Sequence, residues 1–66
     1  MKVTVSMGGK ERIVTLEREG TVGDLLDALG LFPDAHIVMR DGTAIPITER
    51  VKEGENFRLL KVASGG

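Results

Sequence analysis

The chain has 66 residues, a formal net charge of −1 and no cysteine, which predicts one small domain and excludes disulfides, thiolate catalysis and cysteine-based metal sites within it. Nine basic and ten acidic side chains are interspersed along the chain, so no basic tract predicts binding to nucleic acid. Because no apolar stretch has the length of a signal peptide's core or a membrane span, we expect a cytoplasmic protein that does not bind membranes.

The first two predicted elements form a β-hairpin. Apolar and polar side chains alternate over Lys2–Met7, the pattern of a half-buried strand. The tripeptide GGK that follows is a hairpin-turn signal, and a β-branched run resumes at Arg12–Leu16. The inward face of this second strand is open, since Ile13 and Val14 are both apolar. We assign Val14 and Leu16 to the core.

The next segment, GTVGDLLDALG, changes to the period of a helix. Thr21 is a good N-cap, and Asp24 three residues later predicts a capping box. Gly30 can adopt the left-handed conformation beyond the helix end, and Pro33 prevents continuation. A helix of about two turns is too short to stand alone, so we expect it to lie on a sheet. Its apolar face would consist of four side chains: Val22, Leu25, Leu26 and Leu29.

Three further strands are predicted in the second half. The segment HIVMRDGTAIPI contains a strand, a turn at Asp41-Gly42 and a short strand that Pro46 confines to a sheet edge. A polar stretch with one apolar anchor, Val51, comes next. Gly54 then marks a turn before the last strand, which covers 56–62.

This order of elements predicts the α+β class and a β-grasp fold. One mixed sheet of four to five strands, with the single helix packed on one face, buries the apolar faces of all elements. A right-handed crossover through the helix makes the last strand central and parallel to the first. The domain is expected to span residues 1–62, followed by a flexible tail at 63–66. Six side chains are expected to be largely buried: Val3, Val5, Leu25, Leu29, Phe57 and Leu59.

Motifs for catalysis or metal binding are not recognisable. The segment GGKE lacks the spacing of a phosphate-binding loop. His36 has no partners at metal-ligand spacing and is interpreted as a surface residue flanking a strand. Asp24 and Asp27 are interpreted as a solvated helix face rather than an acid–base pair. We therefore expect a protein that is not an enzyme and holds neither metal nor cofactor.

The chain finishes on KVASGG, with Gly65 and Gly66 as its last two residues. Such a pair arises by chance in roughly one of 200 chains at an average glycine frequency of about 7%. A glycine- and serine-rich end is also typical of a linker. The pair is more informative here because it follows the last predicted strand so closely.

The whole chain resembles the ubiquitin-like β-grasp modifiers and sulfur carriers, a group that includes ubiquitin, the ubiquitin-related modifier, the small archaeal modifier proteins and the sulfur-carrier subunits of molybdopterin and thiamine synthesis. The resemblance rests on element order, on GTVGDLLDALG for the helix, on the RDG turn, on KEGENFRLL and on the terminal GG. The EGE tripeptide looks like the Asp/Glu-Gly-Asp/Glu turn of the sulfur-carrier branch. None of these cues separates protein conjugation from sulfur transfer.

The resemblance implies a role for the tail. An adenylating enzyme of the ubiquitin-activating type would use ATP, which this chain does not itself bind, to form an acyl-adenylate on Gly66. The product would be a thiocarboxylate for a sulfur-accepting enzyme, or an isopeptide with a lysine of a target protein. Without Cβ atoms, Gly65 and Gly66 can thread a narrow channel. Ser64 stands where ubiquitin has a basic residue, so we expect an activating enzyme of the simpler sulfur-carrier type.

The last strand also predicts where a partner binds. With Phe57 and Leu59 inward, alternation places the intervening residues on the opposite face. Alternation alone favours Ile37 and Met39 inward, whereas the family register counted back from the RDG turn favours Val38 inward, and we adopt the register. The predicted docking surface beside the tail is formed by Leu60, Val62, Arg58 and Met39, unless a sheet edge or loop covers it.

A second class of function is open. The chain could be a non-catalytic β-grasp interaction module, expected like the modifier to be a monomer, in which the glycines at the end are incidental. Whether the natural reading frame stops at Gly66 separates the two hypotheses.

Overall fold

The computed structural model describes residues 1–17 and 20–62, and this part of the chain forms one five-stranded mixed sheet, a separate two-stranded sheet and one α-helix. The element bounds are β1 Lys2–Met7, β2 Lys10–Thr15, β3 Gly20–Thr21, α1 Val22–Ala28, β4 His36–Arg40, β5 Thr43–Ile45, β6 Arg50–Val51 and β7 Asn56–Lys61, with a 3₁₀ turn at Pro33–Ala35 between α1 and β4.

The larger sheet has the order β2-β1-β7-β4-β5. Strand β7 is central and runs parallel to β1, while the other neighbours are antiparallel. The predicted β-grasp architecture is thereby confirmed.

The opening hairpin is as tight as a hairpin can be. Met7 lies opposite Lys10, so the turn consists of Gly8 and Gly9 alone, with φ of 60° and 80°. Positive φ at both positions is what a type I′ turn requires, and glycine adopts it without steric cost. Because the turn uses only these two residues, β2 begins at Lys10, earlier than the predicted Arg12.

Both predicted ends of the helix are confirmed. The Thr21 hydroxyl accepts from the Asp24 N–H at 3.3 Å, and the Asp24 carboxylate accepts from the Thr21 N–H at 2.9 Å, which together form a capping box. At the other end Gly30 has a φ of 71°. The Leu31 N–H then donates to the Leu26 carbonyl at 2.9 Å. This bond closes the last turn as in a Schellman motif.

Thr21→Ala should lower the free energy of unfolding by about 1 kcal/mol, because it leaves an N-terminal amide of the helix without its acceptor. Urea denaturation followed by circular dichroism measures the loss. Thr48→Ala is the matched control, since Thr48 is exposed and no hydrogen bond of its side chain is found within residues 1–17 and 20–62. Equal losses in the two variants would contradict the capping role.

The core lies between α1 and the larger sheet. The helix residues Val22, Leu25 and Leu26 are fully buried. Leu29, predicted to be largely buried, is only half-buried, because it is the C-cap residue at the rim of the core. On β2, Val14 is half-buried, and Leu16, which directly follows this strand, is buried, as assigned from the sequence. The complete set of buried apolar residues in the described part is Val3, Val5, Leu16, Val22, Leu25, Leu26, Val38, Val51, Phe57 and Leu59.

The polar loop that follows β5 is attached to the helix and was not predicted to be structured. The N–H of Val22 donates to the Glu49 carbonyl and that of Gly23 to the Ile47 carbonyl, both at 2.9 Å. These bonds satisfy two amides of the helix start that have no partner within the helix. The same loop contains β6, which pairs with β3 just before α1.

Arg40 at the end of β4 fixes this loop and the next turn. Its guanidinium pairs with the Glu49 carboxylate and, at 3.2 Å, with the Glu55 carboxylate. The hydrogen bond to Glu49 is the main reason that the pKa of Arg40 is raised further above its usual value. The first glutamate of the EGE turn, Glu53, also binds a strand, because its carboxylate accepts a hydrogen bond from the Lys2 N–H of β1 at 3.1 Å. The tripeptide that resembles the sulfur-carrier branch therefore has a structural role here, joining β1, β4 and β7.

Candidate docking face beside the C-terminal tail

One face of the larger sheet is not covered by the helix, and we call it the open face. Strand β7 supplies the centre of this face. Phe57 and Leu59 are each 2% exposed and point into the core, whereas Arg58 and Leu60 are exposed on the other side. The alternation predicted for the last strand is therefore the one observed.

Strand β4 supplies the neighbouring part of the open face. Val38 is buried, so the register counted from the RDG turn is right and the inward placement of Ile37 and Met39 by pattern alone is wrong. Met39 is half-buried and lies opposite Arg58. The reason lies in β7, since its buried Leu59 pairs with Val38 and forces the same residue of β4 inward.

Ile37 is an exposed residue that was not predicted to be part of the docking surface. It lies directly opposite Leu60, and the two side chains are 40% and 38% exposed. Directly opposed side chains in antiparallel strands are in contact range, so the pair forms one exposed aliphatic area. The signal was available in the sequence, because placing Val38 inward necessarily places Ile37 outward. The name open-face patch is used below for Ile37, Met39, Arg58, Leu60 and Val62.

Val62 connects the open-face patch to the tail. It follows the last residue of β7, is half-buried, and donates its N–H to the Ala35 carbonyl at 2.9 Å. The predicted reactive residues Gly65 and Gly66 lie outside the described residues, as does the rest of the predicted tail at 63–66. Val62 is thus the last described residue before the predicted tail.

A shallow groove of about 610 Å³ runs along the open face over β7. The hairpin glycines Gly8 and Gly9 border it on one side and the Asp41-Gly42 turn on another, with Arg58 and Leu60 between them. Side chains at the patch thus offer aliphatic surface around a guanidinium group. This arrangement suits contact with another protein, because removing exposed apolar surface from water lowers the free energy of the complex.

The polar side chains of the described residues form no cluster that could hold a metal ion. Within 1–17 and 20–62, no three His, Cys, Asp or Glu side chains are placed to hold a metal ion. His36 is half-buried at the start of β4, and its Nδ1 lies 2.9 Å from the Phe32 carbonyl oxygen in an exposed contact. Asp24 is occupied in capping α1. Of the helices in the described part, none is long and apolar enough to cross a bilayer.

Comparison with known proteins gives a consistent result. The family model described as Small archaeal modifier protein 2 matches residues 1–63. The chain is 34% identical to Small archaeal modifier protein 2 of Haloferax volcanii, and the match covers 100% of both chains. The structure is similar to that of SAMP1 from Haloferax volcanii, with a TM-score of 0.74, 25% identity and 100% of each chain covered. It is also similar to the ubiquitin of Caldiarchaeum subterraneum, with a TM-score of 0.71, 26% identity and coverage of 100% of this chain and 98% of the other.

Proposed function

The chain belongs to the small archaeal modifier protein 2 family, and we propose that it is a ubiquitin-like modifier or sulfur carrier that an adenylating enzyme activates at its C-terminal glycine. The observation that carries this proposal is the Gly65-Gly66 pair, which is separated from the described β-grasp domain of this family by Ala63 and Ser64 alone. The protein would act in the cytoplasm as a carrier, not as a catalyst.

The proposed chemistry takes place on the carboxylate of Gly66. A carboxylate oxygen attacks the α-phosphorus of ATP held by the activating enzyme, and pyrophosphate leaves, which gives an acyl-adenylate. Attack of hydrosulfide sulfur on the acyl carbon then expels AMP and forms a thiocarboxylate. Attack of a lysine amine instead, with loss of AMP and a proton, forms an isopeptide. Both outcomes use the same activated carbonyl, so one tail supports sulfur transfer and conjugation.

The open-face patch is the proposed contact for the activating enzyme. Its Leu60 and Val62 lie along the chain immediately before the tail, so a partner seated there is close to the point where the tail begins. Ile37 and Met39 extend the aliphatic surface onto β4. Arg58 is exposed at the centre and would pair with an acidic group of the partner.

Leu60→Asp should keep the fold but weaken binding to the activating enzyme by at least about tenfold, because it brings an unpaired charge into an apolar contact. Isothermal titration calorimetry measures the change. Ile47→Asp is the matched control: Ile47 is also an exposed aliphatic residue, but it lies beside the start of α1 and not on the open face. Equal affinity of Leu60→Asp and the parent protein would remove Leu60 from the interface.

Mass spectrometry of material from the native cell tests the proposed function itself. The intact protein should end at Gly66 and carry, in part, one sulfur atom in place of one oxygen. Trypsin cleaves after Lys61, so conjugates should show a Val-Ala-Ser-Gly-Gly remnant on lysines of other proteins. A native chain that ends at Gly66 with neither thiocarboxylate nor remnant would favour the plain interaction module. A chain that continues past Gly66 in every form would contradict activation at this residue.

A further inference from the structure

The two edges of the five-stranded sheet are built differently. Edge strand β5 has three residues and is followed by Pro46, and both features protect an edge against further pairing. Edge strand β2 has six residues and pairs with β1 in an unbroken register, without a proline or a bulge. One edge of the sheet is therefore blunted while the other is long and regular.

The hydrogen bonding of the hairpin shows which backbone groups of β2 face outward. Met1 and Leu16 exchange both bonds, from the Met1 amine to the Leu16 carbonyl at 3.0 Å and from the Leu16 N–H to the Met1 carbonyl at 2.8 Å. In an antiparallel pair such fully bonded positions recur at every second residue. The N–H and C=O groups of Glu11, Ile13 and Thr15 accordingly point away from β1.

The hydrogen bonds that β1 makes on its side away from β2 support this assignment. Thr4, which lies opposite Ile13, donates its N–H to the Glu55 carbonyl at 3.0 Å, on the side away from β2. The Lys2 carbonyl, opposite Thr15, accepts from the Gly54 N–H at 2.8 Å on the same side. The three outward positions of β2 thus present a row of alternating donors and acceptors, which is a template for another strand.

The side chains of β2 define which strand would fit. Ile13 is 70% exposed and lies opposite Thr4, on the open face of the sheet. Lys10 and Arg12 project to the other face, because Arg12 lies opposite the buried Val5. Neither cation forms an ion pair with any side chain within 1–17 and 20–62.

We propose that β2 is a strand-addition site for an extended segment of a partner protein in which apolar and acidic residues alternate. In the added strand, residues opposite Ile13 would be apolar, and residues on the other face would place carboxylates beside Lys10 and Arg12. The site does not involve the tail, and it is separated from β7 by β1. A partner bound there can recognise the modifier while the C-terminus of the modifier is bound to another protein.

A second copy of the chain fits this edge less well. In antiparallel pairing of β2 with itself, centred on Ile13, Arg12 of each copy lies opposite Val14 of the other and is the diagonal neighbour of the other Arg12 on the same face. Diagonal neighbours are within reach of long side chains, so the two guanidinium groups repel each other. The charge pattern therefore favours an acidic partner segment over self-association.

The test is a titration of ¹⁵N-labelled full-length protein with a short, terminally blocked peptide in which valine and glutamate alternate. At saturation, hydrogen exchange at the amides of Glu11, Ile13 and Thr15 should slow by about tenfold or more, because these N–H groups gain acceptors. The amides of Arg12 and Val14 are already bonded to β1 and should change little. This alternating pattern distinguishes strand addition from general contact with the hairpin.

Variants test the charge and backbone parts of the proposal. Arg12→Glu should weaken peptide affinity by about tenfold, whereas Lys52→Glu, the same charge change at an exposed loop residue, should leave it within about twofold. Ile13→Pro removes one outward N–H, is tolerated at an edge, and should abolish binding while amide dispersion shows an intact fold.

Three results would overturn the proposal. The first is equal binding of a peptide in which valine and lysine alternate. The second is a set of shifts centred on Met39 and Leu60, which would place the peptide on the open-face patch. The third is concentration-dependent protection of the Glu11, Ile13 and Thr15 amides without peptide, which would make a second copy of the chain the occupant.

Discussion

Phe57→Ala is expected to lower the free energy of unfolding by about 3–5 kcal/mol. Phe57 is 2% exposed, lies on the central strand β7 and sits opposite the buried Val5 of β1. Truncation removes the aromatic ring from the middle of the core, and the surrounding structure relaxes only partly into the cavity. A domain of 66 residues has a stability of roughly 3–10 kcal/mol, so much of the variant should be unfolded at room temperature.

Phe32→Ala is the matched control for that experiment. Phe32 is 77% exposed in the segment between α1 and the 3₁₀ turn, so the same truncation should change the free energy of unfolding by no more than about 0.5 kcal/mol. Urea denaturation followed by circular dichroism compares the two variants directly. Similar losses, or a stable Phe57→Ala protein, would mean that the core is not centred on β7.

The sequence is most informative where one local rule decides the conformation. The capping pair Thr21 and Asp24, the left-handed Gly30, and the Gly8-Gly9 turn are each predicted by short-range chemistry and are found in the structure. The central position of β7 follows from the handedness of the crossover, which depends on the order of elements and not on particular residues.

Features that depend on packing between distant segments were harder to predict. The orientation of β4 is set by its pairing with β7, which alternation within HIVMR cannot show because Ile37, Val38 and Met39 are all apolar. The small sheet of β3 and β6 consists of two residues in each strand, too short for a periodic signal. Leu29 follows the helical pattern, but its burial is limited by the place where the helix ends.

The open-face patch follows from the same pairing. Once Val38 is inward, Ile37 and Leu60 must meet on the open face, one residue before the end of β7 at Lys61. A single strand thus links the core, through Phe57 and Leu59, to the surface nearest the tail. The proposed docking of an activating enzyme at the patch rests on this closeness along the chain.

Deleting Gly65 and Gly66 should leave the fold and the free energy of unfolding unchanged, yet abolish adenylation. Residues 63–66 are expected to contribute little to stability, since small polar residues and glycines offer little apolar surface to offset the entropy of ordering them. The proposed activation, in contrast, would need the carboxylate at a fixed reach from the open-face patch. Adding one residue after Gly66 should therefore also abolish adenylation, because the carboxylate is displaced while both glycines remain.

The most direct test of the proposed function is ATP–pyrophosphate exchange with the cognate activating enzyme. The parent protein should support exchange, and neither the deletion nor the extension should support it at any concentration. Circular dichroism and urea denaturation of both variants provide the control, and they should match the parent within error. Exchange that survives in folded protein lacking Gly65 and Gly66 would contradict activation at this terminus and would favour a plain interaction module.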